Sequence, residues 1–307
     1  MKPTLIPLTA LLLALARVAT AMGQTPLHVG FVDPALPKDP LPRNAAALAF
    51  AQTQGEVVRL AWQTTGGWLA ADGRIRAPEE FDAVWFHQGD DVAAAKLDAA
   101  AGADLMAWLE GGGSLLLSGA AGRVLNDLSI ETTSLRVLGP TEVAHVSGIR
   151  VVPKHREHSA FAGLDTTRLV PLTIKGGNAL ADFYDTAGPH GELLANGSGA
   201  GERPLVEYIV GDGRVIFVGW RLPDFTTATD AHRPNLERLF GNLLHYLAAR
   251  NTNRARLVAP PGKSRYERRM GIPFLLADKP VELLAAARGE KTAVSVEADV
   301  KETAIVG

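Results

Sequence analysis

The chain predicts an α/β fold with a mostly parallel sheet covered by helices on both faces, and three observations carry that prediction. Short apolar runs alternate with helical segments at the spacing of βαβ units. The runs are continuous rather than alternating, as strands buried on both faces require. Hydrophobic residues make up 47% and charged residues 21% of 307 residues, a globular composition with enough chain for one large or two modest domains.

The elements follow in order. Lys2, an apolar run from Leu5 and the small residues Ala19-Thr20-Ala21 describe a secretory signal peptide over residues 1–21. Arg17 interrupts the run, which falls short of the ~20 residues a membrane span needs. Leu27–Asp33 is a first buried strand, and Pro34, Pro37, Pro40 and Pro42 make the next segment an extended loop. Asn44–Gln54 is a helix with Asn44 as its cap and Gly55 as its stop. Strands follow at Glu56–Trp62 and Phe81–His87, then a helix at Asp91–Leu109 and a strand at Ser114–Leu117 that turns tightly into another helix.

Residues 135–175 break this rhythm with β-branched runs and read as an antiparallel insertion or extension; 195–201 read as a Gly-rich loop. Pro204–Val210 and Arg214–Gly219, joined by Gly211-Asp212-Gly213, form a hairpin. Pro234–Ala249 closes the domain as an amphipathic helix with Leu236, Leu239, Phe240, Leu243, Leu244 and Leu247 on one face. A polar, basic linker occupies 251–271, and 272–307 read as a β-rich tail, either docked as a hairpin or opening an incomplete module.

Composition removes several classes of function. The formal net charge of −2 gives no general attraction to nucleic acid. The absence of cysteine removes disulfides, thiol nucleophiles, Cys-ligated zinc and iron–sulfur clusters. Gly111–Gly113 and Gly211–Gly213 lack the spacing of a phosphate or dinucleotide cradle and read as turns, so no cofactor is expected.

Ligands of parallel α/β sheets bind outside the carboxyl ends of the strands. That rule groups His87, Asp90 and Asp91, then Ser118–Gly122, then Trp220 and Arg221, on one rim. His87 is a candidate base oriented by Asp90 or Asp91, and Ser118 a candidate hydroxyl nucleophile. The simpler reading has Ser118 starting the turn and Asp90 or Asp91 capping the next helix; the Gly-x-Ser-x-Gly pattern of a nucleophile elbow is missing. His155 and His158 could share a metal only on a helix, and Pro153 and Gly163 favour a loop, so no metal site is expected. Asp230 or His232 would cap the closing helix.

Phe81–His87, Trp108–Ser118, His158–Leu164 and Gly213–Gly219, in that order and spacing, resemble class I glutamine amidotransferase-like domains over roughly residues 26–250. The closer likeness is to the exported ThuA-like and DUF4960-type branches of bacterial proteins linked to carbohydrate use. The resemblance implies a flavodoxin-like sheet with its functional turn after Leu117, where true amidotransferases hold a cysteine. Here Ala120 and Ala121 occupy that turn, so glutamine hydrolysis by the family mechanism is excluded. The expectation is an exported, periplasmic or extracellular domain that binds a carbohydrate or another small polar ligand. His87, Asp90, Asp91, Ser118 and Arg221 would orient the ligand and Trp220 would stack on it. Two alternatives stand beside it: a sugar-directed hydrolase or isomerase using His87, and an interaction domain of an envelope assembly, whose rim would be filled by side chains.

Overall fold

The continuous apolar runs form the centre of one eleven-stranded sheet. The computed structural model describes residues 26–36, 38–63, 67–89, 97, 99–137, 148–173, 182–185, 187–222 and 231–252. The expected leader at 1–21, Asp90, Asp91, Asp230, almost all of the expected basic linker and the residues 272–307 lie outside the described residues.

The strands are β1 (Leu27–Val32), β2 (Gly55–Gln63), β3 (Gly67–Ala70), β4 (Ile75–Arg76), β5 (Ala83–Gln88), β6 (Ser114–Gly119), β7 (Gly148–Val151), β8 (Val170–Pro171), β9 (Glu192–Gly197), β10 (Leu205–Val210) and β11 (Gly213–Val218). Their order is β4-β3-β2-β1-β5-β6-β11-β10-β9-β7-β8. The five central strands β2, β1, β5, β6 and β11 run parallel; both flanks are antiparallel. The helices are α1 (Pro42–Gln54), α2 (Ala99–Glu110), α3 (Val124–Asp127) and α4 (Arg233–Thr252). None among the described residues is long and apolar enough to cross a membrane.

Two cores result. On one face α1 and α4 pack on Phe31, Trp85, Leu116, Ile216 and Val218; on the other, α2 and α3 pack on Val84, Phe86, Leu115, Leu117 and Phe217. All six expected apolar residues of α4 have no exposed surface. At ~1.5–3 kcal/mol per buried aliphatic or Phe side chain, that stripe alone fastens the closing helix. The hairpin turn is Gly211-Asp212, with Val210 opposite Gly213. Only Gly211 of the two takes a positive φ, 56°, which is the II′ pattern.

Three local expectations are corrected. Asn44 does not cap α1: Pro42 starts the helix, Leu41 stands at the cap without a side-chain bond, and Asn44 lies buried inside the first turn. Proline is already preset for a helical first turn, so the helix begins earlier. Residues 195–197 are not loop but the end of β9, because partners on both sides, β10 and β7, supply ladder bonds that a weak strand sequence would not win alone. Asn251 and Thr252 belong to α4 rather than to a linker, and Asn251 Nδ2 donates to Phe81 O at 3.0 Å and Asp82 O at 2.9 Å. The antiparallel extension expected within 135–175 is present among the described residues as β7 and β8, which pair with each other and, through β7, with β9.

Candidate functional site

β5, β6 and β11 end side by side, and their register decides what meets at the carboxyl rim. His87 lies opposite Ser118, and Ser118 opposite Val218, so these side chains leave the sheet on the face covered by α1 and α4. Trp220 joins the same apolar cluster. The structure therefore brings His87, Ser118, Trp220 and Arg221 together, but it buries them: the first three have no exposed surface and Arg221 is 2% exposed. Trp220 consequently offers no ring face to a sugar, which corrects its expected stacking role. The orienting carboxylates Asp90 and Asp91 lie outside the described residues.

Ser118 Oγ accepts a hydrogen bond from Trp85 Nε1 at 2.8 Å and lies 2.6 Å from His87 Nδ1. With its Oγ accepting from Trp85, Ser118 donates to Nδ1, which places the imidazole proton on Nε2. That nitrogen is buried without a hydrogen-bond partner among the described residues, as is Trp220 Nε1. Burial, reinforced by the positive charges of Arg221 and Arg43, holds the His87 pKa down at about 3. His87 is thus neutral and only a feeble base near pH 7.

The turn from β6 into the 3₁₀ segment Ala120–Arg123 has its apex at Gly119, with φ 61° and ψ −137°. A nucleophile on a strand-to-helix elbow sits at this strained apex. The position that matters is therefore Gly119 rather than Ala120 or Ala121, which are buried within the 3₁₀ segment. A Cβ at Gly119 would stand 2.6 Å from Gln88 O and 2.9 Å from Arg221 Cγ. Arg221 fills the space into which an apex side chain would project. Its guanidinium is held by Asp182, with Nε donating to Oδ2 at 3.1 Å and Nη2 to Oδ1 at 2.7 Å, and Asp182 N donates to Gly219 O at 2.7 Å.

The other wall is equally committed. Gly89 N donates to Asn44 Oδ1 at 2.9 Å, Asn44 Nδ2 to Gln88 Oε1 at 3.3 Å, and Arg43 Nη1 to Gly89 O at 3.0 Å. The elbow survives as geometry, but backbone and an ion pair close it.

Two polar clusters were not legible in the sequence. Glu131, 1% exposed, accepts bonds from the backbone N–H of Thr132, Thr133 and His190, from Tyr208 OH at 3.0 Å, and lies 2.6 Å from His190 Nδ1. Burial pushes its pKa up, and the bonds from Thr133, His190 and Tyr208 outweigh it and bring it down to about 2. Glu207, on β10, meets Arg214 Nη1 at 2.6 Å and Tyr246 OH at 2.7 Å, with His158 Nε2 at 3.8 Å. His158 Nδ1 accepts from Ala160 N at 3.1 Å, and His155 Nε2 sits 2.7 Å from Glu192 Oε1. The two histidines thus serve a 3₁₀ cap and a surface pair, and no cluster of three metal-ligating side chains occurs among the described residues.

An open concavity lies on the α1–α4 face beyond the buried rim. It is a groove of about 900 Å³ between the two helices, with Leu222 at its rim end.

No family model and no curated protein matches the chain. A ThuA-like protein from Parabacteroides merdae overlays with a TM-score of 0.50 at 12% identity, covering 73% of this chain and 90% of that one. PurLQS from Thermotoga maritima gives 0.47 at 11% identity, covering 73% of this chain and 100% of its own. A β-galactosidase from Bacillus circulans sp. alkalophilus gives 0.45 at 12%, over 74% of this chain and 32% of its own. The fold is a flavodoxin-like α/β architecture shared with that ThuA-like protein. At these identities the likeness is one of fold alone.

Proposed function

We propose that this chain is an exported, non-catalytic member of its fold class that binds a carbohydrate or another small polar ligand. The leader-like run at residues 1–21 supports the exported setting, and the motif resemblance read from Phe81–His87, Trp108–Ser118, His158–Leu164 and Gly213–Gly219 supports the carbohydrate class. One observation carries the non-catalytic part: the elbow apex is Gly119, walled by Gln88 O and Arg221, with no room for a nucleophilic side chain. His87 and Ser118 hydrogen-bond to each other beneath the surface, and the His87 pKa of about 3 makes it a poor general base.

The test is a glycan array and a thermal-shift screen on the full chain, with turnover of the same glycans measured alongside. Binding of at least one sugar without turnover is expected. Silence across all sugars overturns the carbohydrate reading, and turnover that disappears in His87→Ala overturns the non-catalytic one. A second reading, an interaction domain of an envelope assembly, is favoured by the rim being filled with side chains. Silence on the array together with co-purification of an envelope protein would select it.

A further inference from the structure

We propose that the groove between α1 and α4, with Gly241 at its floor, is the seat of a neutral polyhydroxylated ligand, and that Gly241 is small in order to keep that floor open. The inference rests on the carbohydrate-binding reading and adds to it a place and a chemical preference.

The walls mix donors with acceptors. Arg238 uses Nη1 on Gly163 O at 2.8 Å and is otherwise exposed, so further N–H groups face solvent or ligand. Asn242 gives its Nδ2 protons to Ala160 O at 3.1 Å and Ala162 O at 2.9 Å, which leaves Oδ1 as its acceptor. Gln54 Nε2 donates to Thr53 Oγ1 at 2.8 Å, and its Oε1 lies over the groove floor near Gly241. Glu237 takes Arg233 Nε on Oε1 at 2.7 Å and has Oε2 as a second acceptor. A hydroxyl both donates and accepts, so an array of hydroxyls suits this mixture. An anion needs donors alone; it would meet Arg233 and Arg238 here, but also Glu237 and the acceptor oxygens of Asn242 and Gln54, which a hydroxyl array can use. Ala46, Ala49 and Phe50 line the groove with apolar surface of the kind a pyranose ring covers with its C–H face.

Gly241 is the second observation. It stands inside a twenty-residue helix, where glycine is the least favoured residue after proline. Neither conformation nor packing demands it there. Its φ is not positive, and the atoms nearest to a Cβ there would be Gln54 Oε1 at 3.0 Å, Gln54 Cδ at 3.7 Å and Phe50 Cζ at 3.9 Å. Gly119 and Gly122 differ: a Cβ there would strike backbone oxygen or a phenyl ring. At Gly241 a methyl would instead fill part of the groove and push Gln54 aside.

The experiment titrates the full chain with neutral mono- and oligosaccharides, inorganic phosphate and a uronate, by calorimetry and thermal shift, in the wild type, Gly241→Ala and Gln54→Ala. A neutral sugar is expected to bind the wild type. Gly241→Ala is expected to raise the ligand-free Tm while weakening the sugar tenfold or more. Gln54→Ala is expected to weaken it similarly with the ligand-free Tm unchanged. Equal binding by the wild type and both variants puts the seat elsewhere and overturns this inference while leaving the carbohydrate reading intact. Binding of phosphate or the uronate alone overturns the neutral class. No sugar binding to the wild type overturns the carbohydrate reading and this inference with it.

Discussion

At the carboxyl rim of the parallel core an ionisable side chain is buried and has lost its charge; on the antiparallel flank an equally buried one keeps it. His87 sits among Trp85, Ser118 and two arginine charges, and its pKa falls to about 3. Glu131 has as little exposure, yet its pKa falls to about 2 because backbone donors and Tyr208 converge on its two oxygens. Burial penalises charge in both places. The difference lies in what faces the charged form: donors converge on the Glu131 anion, whereas a His87 cation would face the positive charges of Arg221 and Arg43. The loop that carries Glu131 keeps its carboxylate ionised, whereas the rim leaves His87 neutral. Neither pKa decides what the rim does; the closed wall around Gly119, with Gln88 O and Arg221 beside it, is the geometric ground for a rim that holds shape.

The sharpest way to break that comparison is to remove the ion pair closing the elbow. Arg221→Met takes away the guanidinium that the buried Asp182 now holds, and urea denaturation should give a loss of about 3–5 kcal/mol. Adding Asp182→Leu should recover much of it, since an apolar pair can replace a buried ionic one. A single-variant cost below ~1 kcal/mol would mean the pair does not close the rim. Next in size is Gly119→Ala. A side chain at φ 61° is strained, and its Cβ would lie 2.6 Å from Gln88 O, so about 2–4 kcal/mol should be lost. Near-neutral behaviour would show that the apex has room for a side chain and would reopen the elbow as a catalytic position.

On the flank, Glu131→Gln is expected to cost about 1–3 kcal/mol at pH 7, since an amide cannot accept from every donor now aimed at the carboxylate. The folded pKa lies below the ordinary carboxylate value of 4.5, so the carboxylate's stabilisation is fully present above about pH 4.5. It fades as pH falls from there towards 2. Chemical denaturation of wild type and variant at pH 7 and pH 3 should therefore show the gap narrowing in acid. A gap independent of pH would remove the charge from the explanation.

How much of this was legible in the sequence depends on what each residue had to declare. β1, β5, β6 and β11 were readable because a strand buried on both faces must be apolar throughout. The apolar face of α4 was readable because its period is helical. β9 was not: Glu192-Leu-Leu-Ala-Asn-Gly197 has little intrinsic strand preference and becomes a strand only through β10 and β7. The rim residues His87, Ser118, Trp220 and Arg221 were found as neighbours, because strand ends and register are local facts. Their burial was not, because it depends on Asp182, Arg43 and Asn44, which come from distant segments. The apex was placed at Ala120 and Ala121 because a glycine at a strand end gives no sign in sequence that it carries the positive φ.

The smallest effect separates the two regions most cleanly, because their pH windows differ. The His87 pKa is depressed when folded, from an ordinary 6.5 to about 3. Between those values the unfolded chain binds a proton that the folded chain refuses, so stability falls as pH drops below 6.5. From pH 7 to 5.5 this should remove about 1 kcal/mol, well before Glu131 begins to respond. His87→Asn keeps a polar group near Ser118 and cannot titrate. Its absolute stability will be lower, but its stability profile between pH 7 and 5.5 should be flatter than the wild type's by that amount. Glu131→Gln should leave the same interval unchanged and flatten only the region below pH 4.5. If His87→Asn retains the wild-type slope, His87 takes up a proton when folded; the rim would then hold an accessible base, and the case for a closed, non-catalytic elbow would fail.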